Sequence, residues 1–224
     1  MKQVKIAKLR VENYSTIISN REIYECIKIL PSEYRKINSH IFIHENNKRY
    51  FWFCFKKLRL LAIHKRIMNG LIQKFRRDSI GEGVYIIGRN EIHLFEGKMR
   101  TSIQLVKKQA MKSDKSKYIT EKIWKKYEHM WIKYKMIYAL IHELNHAIQD
   151  TKGKINPKIF EKTIKWEKRK YEIDSVKKSE CIYAKYGKRI SEILKADGIS
   201  AYHIYEPELG VGFSYEIEID DNLT

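Results

Sequence analysis

The sequence predicts an α+β domain with a small, mainly antiparallel sheet from its first half and long helices from its second half. Segments with strand-like patterns, including one clear hairpin, are concentrated in the first half. Two long stretches with helical periodicity follow them. With 224 residues, 43% of them hydrophobic, the chain has enough apolar side chains for a buried core. We therefore expect residues 1–224 to form one domain, and the composition excludes disorder of the whole chain.

Short helices and a strand are predicted near the start of the chain. Residues 23–30 follow Ser19, a residue type that favours the start of a helix, and we expect a short helix there. Pro31 opens a further helical turn. The segment His40–His44 alternates in the manner of a strand.

Residues 50–82 are expected to be a basic and aromatic insertion or elaboration of the domain. Residues 50–55 form a continuous aromatic run that is typical of a buried strand. Residues 56–77 repeat apolar side chains at helical spacing with basic residues between them, which predicts a basic amphipathic helix interrupted by Gly70. Such a helix either packs on a core with its lysines outside or lies on nucleic acid or a membrane.

The clearest hairpin of the sequence comes next. Residues 83–87 and Glu91–Phe95 have strand-like patterns, and a turn at residues 88–90 joins them. Residues 97–116 are polar, and we expect them to form a loop.

Two long helices are predicted in the second half of the chain. The first covers roughly residues 119–150. A break at residues 151–156 separates it from the second, which we expect to begin at Asn156 and Pro157. Asn is a favoured cap and Pro a favoured first helical residue. The second helix is expected to extend towards Gly187.

Charge is unevenly distributed along the chain. The net charge is +18, from 45 Lys and Arg against 27 Asp and Glu. Residues 206–224 contain six acidic and no basic residues, so the remaining 205 residues carry 45 basic against 21 acidic ones, a net charge of +24. A net charge of this size is typical of proteins that bind nucleic acid or an acidic protein. The alternative is that most of these lysines simply form a solvated surface. The acidic segment contains a strand-like pattern at residues 212–219.

A cytoplasmic location is expected for this chain. We find no apolar run long enough for a transmembrane segment. Residues 1–10 lack the apolar region that a secretory signal requires. The three scattered cysteines, Cys26, Cys54 and Cys181, are interpreted as reduced thiols.

The first long helix contains an HExxH pattern formed by His142, Glu143 and His146. Histidines four residues apart share one face of a helix, so both imidazoles could bind the same metal ion. Glu143 would lie beside the metal, where it could take a proton from a metal-activated water and pass it to a leaving amine. The alternative is a pair of histidines without a metal. The other face of this helix is apolar, which predicts that the helix is buried: Ile137, Leu140, Ile141, Leu144 and Ile148.

A catalytic zinc site needs a third protein ligand, and Glu172 on the second long helix is the favoured candidate. Ser175 and Ser179 share the helical face of Glu172 and, being small, would let the two helices approach closely. Competing donors are Glu167, Asp174, Glu180 and His203.

The segment HELNHAIQ at residues 142–149, preceded by a helix and a hairpin, resembles the gluzincin metallopeptidases. In that family a glutamate in an ExxA(D/N) pattern on the next helix completes the zinc site. Here the corresponding residues are Glu172, Ser175 and Val176. The resemblance covers roughly residues 84–186 and implies Zn²⁺ bound by His142, His146 and Glu172.

The spacing of the motif is similar to that of compact single-domain gluzincins, among them mobile-element peptidases that cleave repressors. The resemblance therefore implies a polypeptide substrate, with Glu143 as the general base. In those proteins a hairpin strand before the active-site helix forms the edge along which an extended substrate aligns. That role would fall to Glu91–Phe95 here.

The chain departs from the family pattern at Val176, where an Asp or Asn normally supports a histidine ligand. Asp174 could replace it. The donor that would stabilise the oxyanion stays open among four residues: Tyr171, Tyr183, His203 and Tyr215.

Two function classes follow from the sequence. The first is a zinc-dependent peptidase. The second is a basic nucleic-acid-associated binding protein in which the HExxH helix is structural or vestigial, although no helix-turn-helix, zinc-finger or ribonucleoprotein motif accompanies the basic charge. A further expectation is self-inhibition, in which the acidic segment 206–224 covers a basic cleft and truncation after Tyr205 raises activity.

Overall fold

The computed structural model describes residues 2–6, 8–46, 81–110, 121–155, 169–196, 200–204 and 214–218. Both helices and strands occur in these ranges, so the predicted α+β class is confirmed. The strands are β1 (Lys2–Ile6), β2 (Leu9–Asn13), β3 (His40–His44), β4 (Gly83–Ile86), β5 (Glu91–Phe95), β6 (Ser200–Ile204) and β7 (Ser214–Glu218). The helices are α1 (Asn20–Ile29), α2 (Ser32–Lys36), α3 (Glu96–Ala110), α4 (Glu121–Thr151) and α5 (Lys170–Leu194).

Five strands form one sheet in the order β1-β2-β3-β5-β4. The two outer pairs, β1 with β2 and β4 with β5, are antiparallel. The two inner pairs, β2 with β3 and β3 with β5, are parallel. The sheet is therefore mixed, and the prediction of a mainly antiparallel sheet is wrong. Helices α1 and α2 lie between β2 and β3 and return the chain to the starting end of the sheet, so these two strands run the same way.

One face of the sheet forms the hydrophobic core. Val11, Ile41 and Ile92 lie side by side in register across β2, β3 and β5, and each is at most 1% exposed. Alternate residues of a strand point to the same face. Ile43 of β3 and Leu94 of β5 therefore form a second buried pair on this face. Helix α4 contacts β4 and β5, and its five apolar residues named above are all buried, as predicted.

The opposite face of the sheet carries aromatic and imidazole rings. His44 and His93 stack with a ring-centroid distance of 5.3 Å, and their Nε2 and Nδ1 atoms are 3.0 Å apart. Phe42 stacks on His93, and Phe95 stacks on His44. All four of these side chains are buried.

Helix α1 is confirmed close to its predicted position, with Ser19 as its N-cap. The Ser19 side chain accepts a hydrogen bond from the Glu22 backbone N–H, and the Glu22 carboxylate accepts one from the Ser19 backbone N–H at 2.7 Å. This reciprocal pair satisfies two donors that a helix start otherwise leaves open. Helix α2 and strand β3 also lie where the sequence places them.

Helix α3 replaces the loop predicted for residues 97–116, and over residues 97–110 that prediction is wrong. Met99 and Ile103 lie four residues apart on one face of the helix, and they are 0% and 3% exposed. Both side chains belong to the hydrophobic core and dock this largely polar helix on it. The carboxylate of Glu96, in the first turn, accepts hydrogen bonds from Ser15 and Arg100.

Helix α5 begins and ends later than predicted. Arg169 has extended dihedral angles and caps the helix, so the helix that contains Glu172 starts at Lys170 and not at Pro157. It runs past Gly187 and ends at Leu194, followed by Lys195 in the left-handed conformation. A side chain at Gly187 would place its Cβ 3.3 Å from the Tyr134 hydroxyl oxygen, so this glycine lets α4 and α5 pack closely in mid-helix.

Some predictions fall on parts of the chain outside the described residues. They are the aromatic run at 50–55, the basic helix at 56–77, the helix start at Asn156 and Pro157, and most of the acidic segment at 206–224. Within that segment β7 is a strand, as its pattern predicted, and it pairs antiparallel with β6. Of the described cysteines, Cys26 is buried, Cys181 is exposed, and both are free thiols. No helix in the described ranges is long and apolar enough to span a membrane.

Candidate metal centre

Three side chains predicted to share a metal ion lie together in the structure. His142 and His146 occupy successive turns of α4, and Glu172 lies in the first turn of α5. The two Nε2 atoms are 3.0 Å apart. The Oε2 atom of Glu172 is 3.3 Å from the Nε2 of His142 and 3.1 Å from the Nε2 of His146. The three donor atoms thus form a nearly equilateral triangle between the two helices.

The donor set has the chemistry and spacing of a metal site. Tetrahedral bonds of about 2.0–2.2 Å hold neighbouring donor atoms roughly 3.3–3.6 Å apart, close to the distances in this triangle. Two imidazole nitrogens and one carboxylate oxygen suit a divalent transition metal. Among the described residues no other group of three His, Cys, Asp or Glu side chains has this geometry. The cluster of His142, His146 and Glu172 could therefore hold a metal ion.

Charge within the cluster favours an ionised carboxylate. Burial alone would raise the pKa of Glu172, but its contacts with the two imidazoles outweigh burial and lower the pKa to about 2. Burial alone would lower the pKa of His146, yet Glu172 and the nearby Glu143 raise it. Glu172 thus contributes an ionised carboxylate, the form that binds a cation, at one corner of the cluster.

Glu143 lies beside the cluster and against strand β4. Its side chain is 6% exposed, and burial raises the pKa of its carboxyl group. The backbone N–H of Tyr85 donates a hydrogen bond to this carboxylate. A Cβ atom at Gly83 would come within 2.9 Å of both the Cγ and the Oε1 of Glu143. Only a glycine at position 83 leaves room for Glu143 in this position.

Among the described strands, β4 lies at the edge of the sheet next to this site. The Phe95 N–H donates to the Glu82 carbonyl at 2.9 Å, so in this antiparallel pair the backbone groups of Gly83 and Tyr85 point away from β5. The resemblance to gluzincins implied that Glu91–Phe95 forms this edge, and that expectation is wrong. Strand β5 lies between β3 and β4, because parallel pairing with β3 occupies its other side.

Small and polar residues hold α4 and α5 together at the cluster. The Ser175 hydroxyl donates to the His142 carbonyl oxygen at 2.9 Å. Asn145 donates to the Ser175 carbonyl oxygen and to the Ser179 hydroxyl, at 3.3 Å and 3.1 Å. The Asn145 side chain in turn accepts a hydrogen bond from the Tyr34 hydroxyl at 2.6 Å. Ser175 and Ser179 are both fully buried, in agreement with the predicted close approach of the helices.

Sequence reasoning missed several residues of this site, among them Gln149, Asn145, Gly83 and the backbone of Tyr85. The Oε1 atom of Gln149 lies 2.9 Å from the Nδ1 of His146, where it can accept a hydrogen bond. Its position three residues after His146 puts it on the same face of α4, and that spacing was the signal available in the sequence. The contacts of Asn145, Gly83 and Tyr85 join segments far apart in the chain and left no such signal.

The competing donors lie elsewhere where the structure describes them. The Asp174 carboxylate accepts hydrogen bonds from Gln149 and Lys178, both at 2.8 Å, and its side chain is 44% exposed. Glu180 lies near Tyr138, one turn of α4 before the cluster. The side chains of Glu167 and His203 are outside the described part of the chain.

Two of the four candidate oxyanion donors have described side chains. The Tyr183 hydroxyl donates to the Tyr134 carbonyl oxygen at 3.1 Å, two turns of α4 before His142. The Tyr171 ring lies next to the cluster, with its centroid 5.8 Å from that of His146. The side chains of His203 and Tyr215 lie outside the described residues, although their backbones pair across β6 and β7.

Comparison of the chain with known protein families, curated proteins and solved structures finds no match.

Proposed function

We propose that this chain is a zinc-dependent peptidase. The observation that carries the proposal is the triangle of His142, His146 and Glu172 with the buried carboxylate of Glu143 beside it. In the proposal the three residues hold Zn²⁺ and Glu143 is the general base. Two imidazoles and one carboxylate leave a fourth position open, as in catalytic rather than structural zinc sites.

A bound zinc ion would supply a Lewis acid that polarises a peptide carbonyl and makes water more acidic. Glu143 takes a proton from the attacking water and passes it to the nitrogen of the leaving amine. Burial supports this role, because a raised pKa makes the carboxylate a stronger base and brings its pKa closer to neutral pH. The Tyr85 N–H and the bare backbone at Gly83 orient Glu143 for both transfers.

The proposed substrate is an extended polypeptide that pairs with the side of β4 that faces away from β5. The Gly83 backbone and the Tyr85 carbonyl face away from β5 and lie next to Glu143, which itself accepts the Tyr85 N–H. An extended peptide can add to such an edge through main-chain hydrogen bonds. This arrangement would place a scissile bond close to the base without any requirement for a particular side chain.

Metal content and peptide hydrolysis test the proposal. The full chain without a histidine tag would be purified, its zinc content measured, and its cleavage of a quenched-fluorescent peptide library followed. We expect Glu143→Gln to retain zinc and lose hydrolysis by at least about 10²-fold. A His142→Ala and His146→Ala double variant should lose both.

His129→Ala is the matched control, since His129 is exposed on the same helix two or more turns away. It should leave zinc content and hydrolysis unchanged. Equal and negligible zinc in the wild type and in the double variant would refute the metal site. Zinc binding without any cleavage would refute the peptidase.

A second candidate function is binding of nucleic acid. It is favoured by the +24 charge of residues 1–205 and by the exposed lysines along α5, which include Lys177, Lys185 and Lys188. Phosphate contacts would account for such binding, and they need no sequence-reading motif.

A further inference from the structure

Gln149 links His146 to the first turns of α5. Its Oε1 atom is 2.9 Å from the Nδ1 of His146. Its Nε2 atom donates to the Tyr171 carbonyl oxygen at 3.0 Å and to the Asp174 carboxylate at 2.8 Å. The Gln149 side chain itself is 1% exposed, whereas the Asp174 carboxylate that it reaches is partly exposed.

The partners of Gln149 permit only one orientation of its amide. A backbone carbonyl and a carboxylate are both acceptors, so the amide NH₂ group must face Tyr171 and Asp174. The amide oxygen must then face His146. An oxygen accepts only, and therefore the Nδ1 of His146 must carry the proton. The Nε2 atom of the neutral ring is left with its lone pair directed at the triangle of donor atoms.

We propose that Gln149, held by Asp174 and by the Tyr171 carbonyl, is the positioning residue that fixes the tautomer and ring orientation of His146 for metal binding. This inference rests on the metal site of the proposed function, but not on peptidase activity. A metal-ligating histidine gains affinity when its other nitrogen donates to an oriented acceptor. The chain obtains that acceptor on α4 itself.

The same contacts explain how the site is built without an Asp or Asn at position 176. Val176 is 4% exposed and packs in the interior, where a valine side chain offers no hydrogen bond. Asp174 does not touch His146 directly but orients the amide of Gln149. Lys178 in turn bonds to the same Asp174 oxygen, one helical turn away. The series Lys178, Asp174, Gln149 and His146 thus runs from the surface to the cluster.

Metal affinity of the full chain tests this series. Zn²⁺ and Co²⁺ affinities would be measured by competition with a chromophoric chelator, and the Co²⁺ d–d spectrum recorded. Gln149→Leu should weaken binding about 10- to 100-fold and alter the Co²⁺ spectrum, because the ring of His146 loses its acceptor. Asp174→Ala should weaken binding by a smaller factor, while Asp174→Asn, which keeps an acceptor oxygen, should restore most of the affinity.

A double-variant cycle separates positioning from charge. If Asp174 acts through Gln149, Asp174→Ala should cause no further loss in the Gln149→Leu background. An equal loss in both backgrounds would overturn the proposal, because the carboxylate would then act directly through its charge. Wild-type affinity and spectrum in Gln149→Leu would overturn it as well.

Control variants keep the test decisive. Lys178→Met removes the surface ion pair but leaves the Asp174–Gln149 contact, and it should change affinity little. If Gln149→Leu does not fold, as judged by circular dichroism, the metal affinity of Asp174→Ala tests the proposal, since the Asp174 side chain is 44% exposed. Unchanged affinity in Asp174→Ala would then overturn the proposal. A wild type that binds metal but cleaves no peptide would refute the peptidase alone, and one that binds no metal would refute both.

Discussion

Glu143 occupies a position that depends on the backbone of a neighbouring strand. Its carboxylate accepts the Tyr85 N–H, and its Cγ lies against the α-carbon of Gly83. A general base is effective only when it is held within hydrogen-bond reach of the proton that it takes. If Glu143 is the base, as proposed, the Tyr85 N–H and the Gly83 backbone of β4 provide that constraint.

The first residue-level prediction is that Gly83→Ala impairs catalysis while metal binding is retained. A Cβ at this position would overlap Glu143 and push its carboxylate aside, and a displacement of about 1 Å can cost on the order of 10²-fold in rate. Hydrolysis of the peptide library and zinc content would be measured on the same preparation.

Val84→Ala serves as the control for Gly83→Ala, because residue 84 points to the opposite face of the same strand. It should leave the hydrolysis rate close to that of the wild type. Full activity in Gly83→Ala would show that Glu143 does not act from its present position.

At the scale of elements, helix starts determine where side chains can meet. Helix α5 begins at Lys170, so Glu172 lies in its first turn, beside the cluster. Helix α1 begins at a capping box that is also tied to α4, because the Glu22 carboxylate forms an ion pair with Lys133. Partial burial alone would raise the pKa of Glu22, but Lys133 and the Ser19 N–H outweigh it and lower the pKa below 4.5.

We predict a pH-dependent contribution of Glu22 to stability. A folded-state pKa below the unfolded value stabilises the fold above about pH 4.5, and this stabilisation is lost as the pH falls through the lower value. Glu22→Gln should therefore lower the free energy of unfolding by about 1–2 kcal/mol at pH 7 and by much less at pH 3. Urea denaturation at both pH values measures the difference.

Glu25→Gln on the same helix is the control. Glu25 forms an exposed ion pair with Lys28 at 3.9 Å, which contributes little to stability. A loss for Glu22→Gln that is equally large at both pH values would contradict the assignment to its charge.

At the scale of the whole molecule, net charge bears on partners and not on the proposed reaction. The cluster and Glu143 involve few of the chain's 72 charged side chains, 45 basic and 27 acidic. Exposed lysines recur on the outer face of α5, away from the face that carries Glu172. These lysines lie on the side of α5 opposite to the one that packs on α4 at the cluster of His142, His146 and Glu172.

The whole-molecule prediction is salt-dependent binding to duplex DNA. If phosphate contacts dominate, affinity for a labelled duplex of arbitrary sequence should fall roughly tenfold or more between 50 and 200 mM salt. A triple variant with Lys177→Glu, Lys185→Glu and Lys188→Glu should show a shallower salt dependence. No binding of the wild type at the lower salt concentration would remove nucleic acid as a partner.

Local patterns predicted much of the fold and part of the candidate site. Helices α1 and α4 and the β4–β5 hairpin follow from caps, periodicity and turn residues, all of which act within about ten residues of chain. The contact of Gln149 with His146 is equally local, yet its significance depends on Tyr171 and Asp174 from the next helix. Helix α3 was missed because its short apolar stripe is outnumbered by polar residues.

The sequence by itself determined that His142 and His146 share one face of a buried helix and that Glu172 heads a stripe of small residues. Helical spacing and side-chain size are sufficient for both. Only the tertiary structure decided which strand forms the edge, what lies against Glu143, and which way the amide of Gln149 points. Those outcomes depend on contacts between segments distant in the chain, and no local pattern of residues encodes which segments become neighbours.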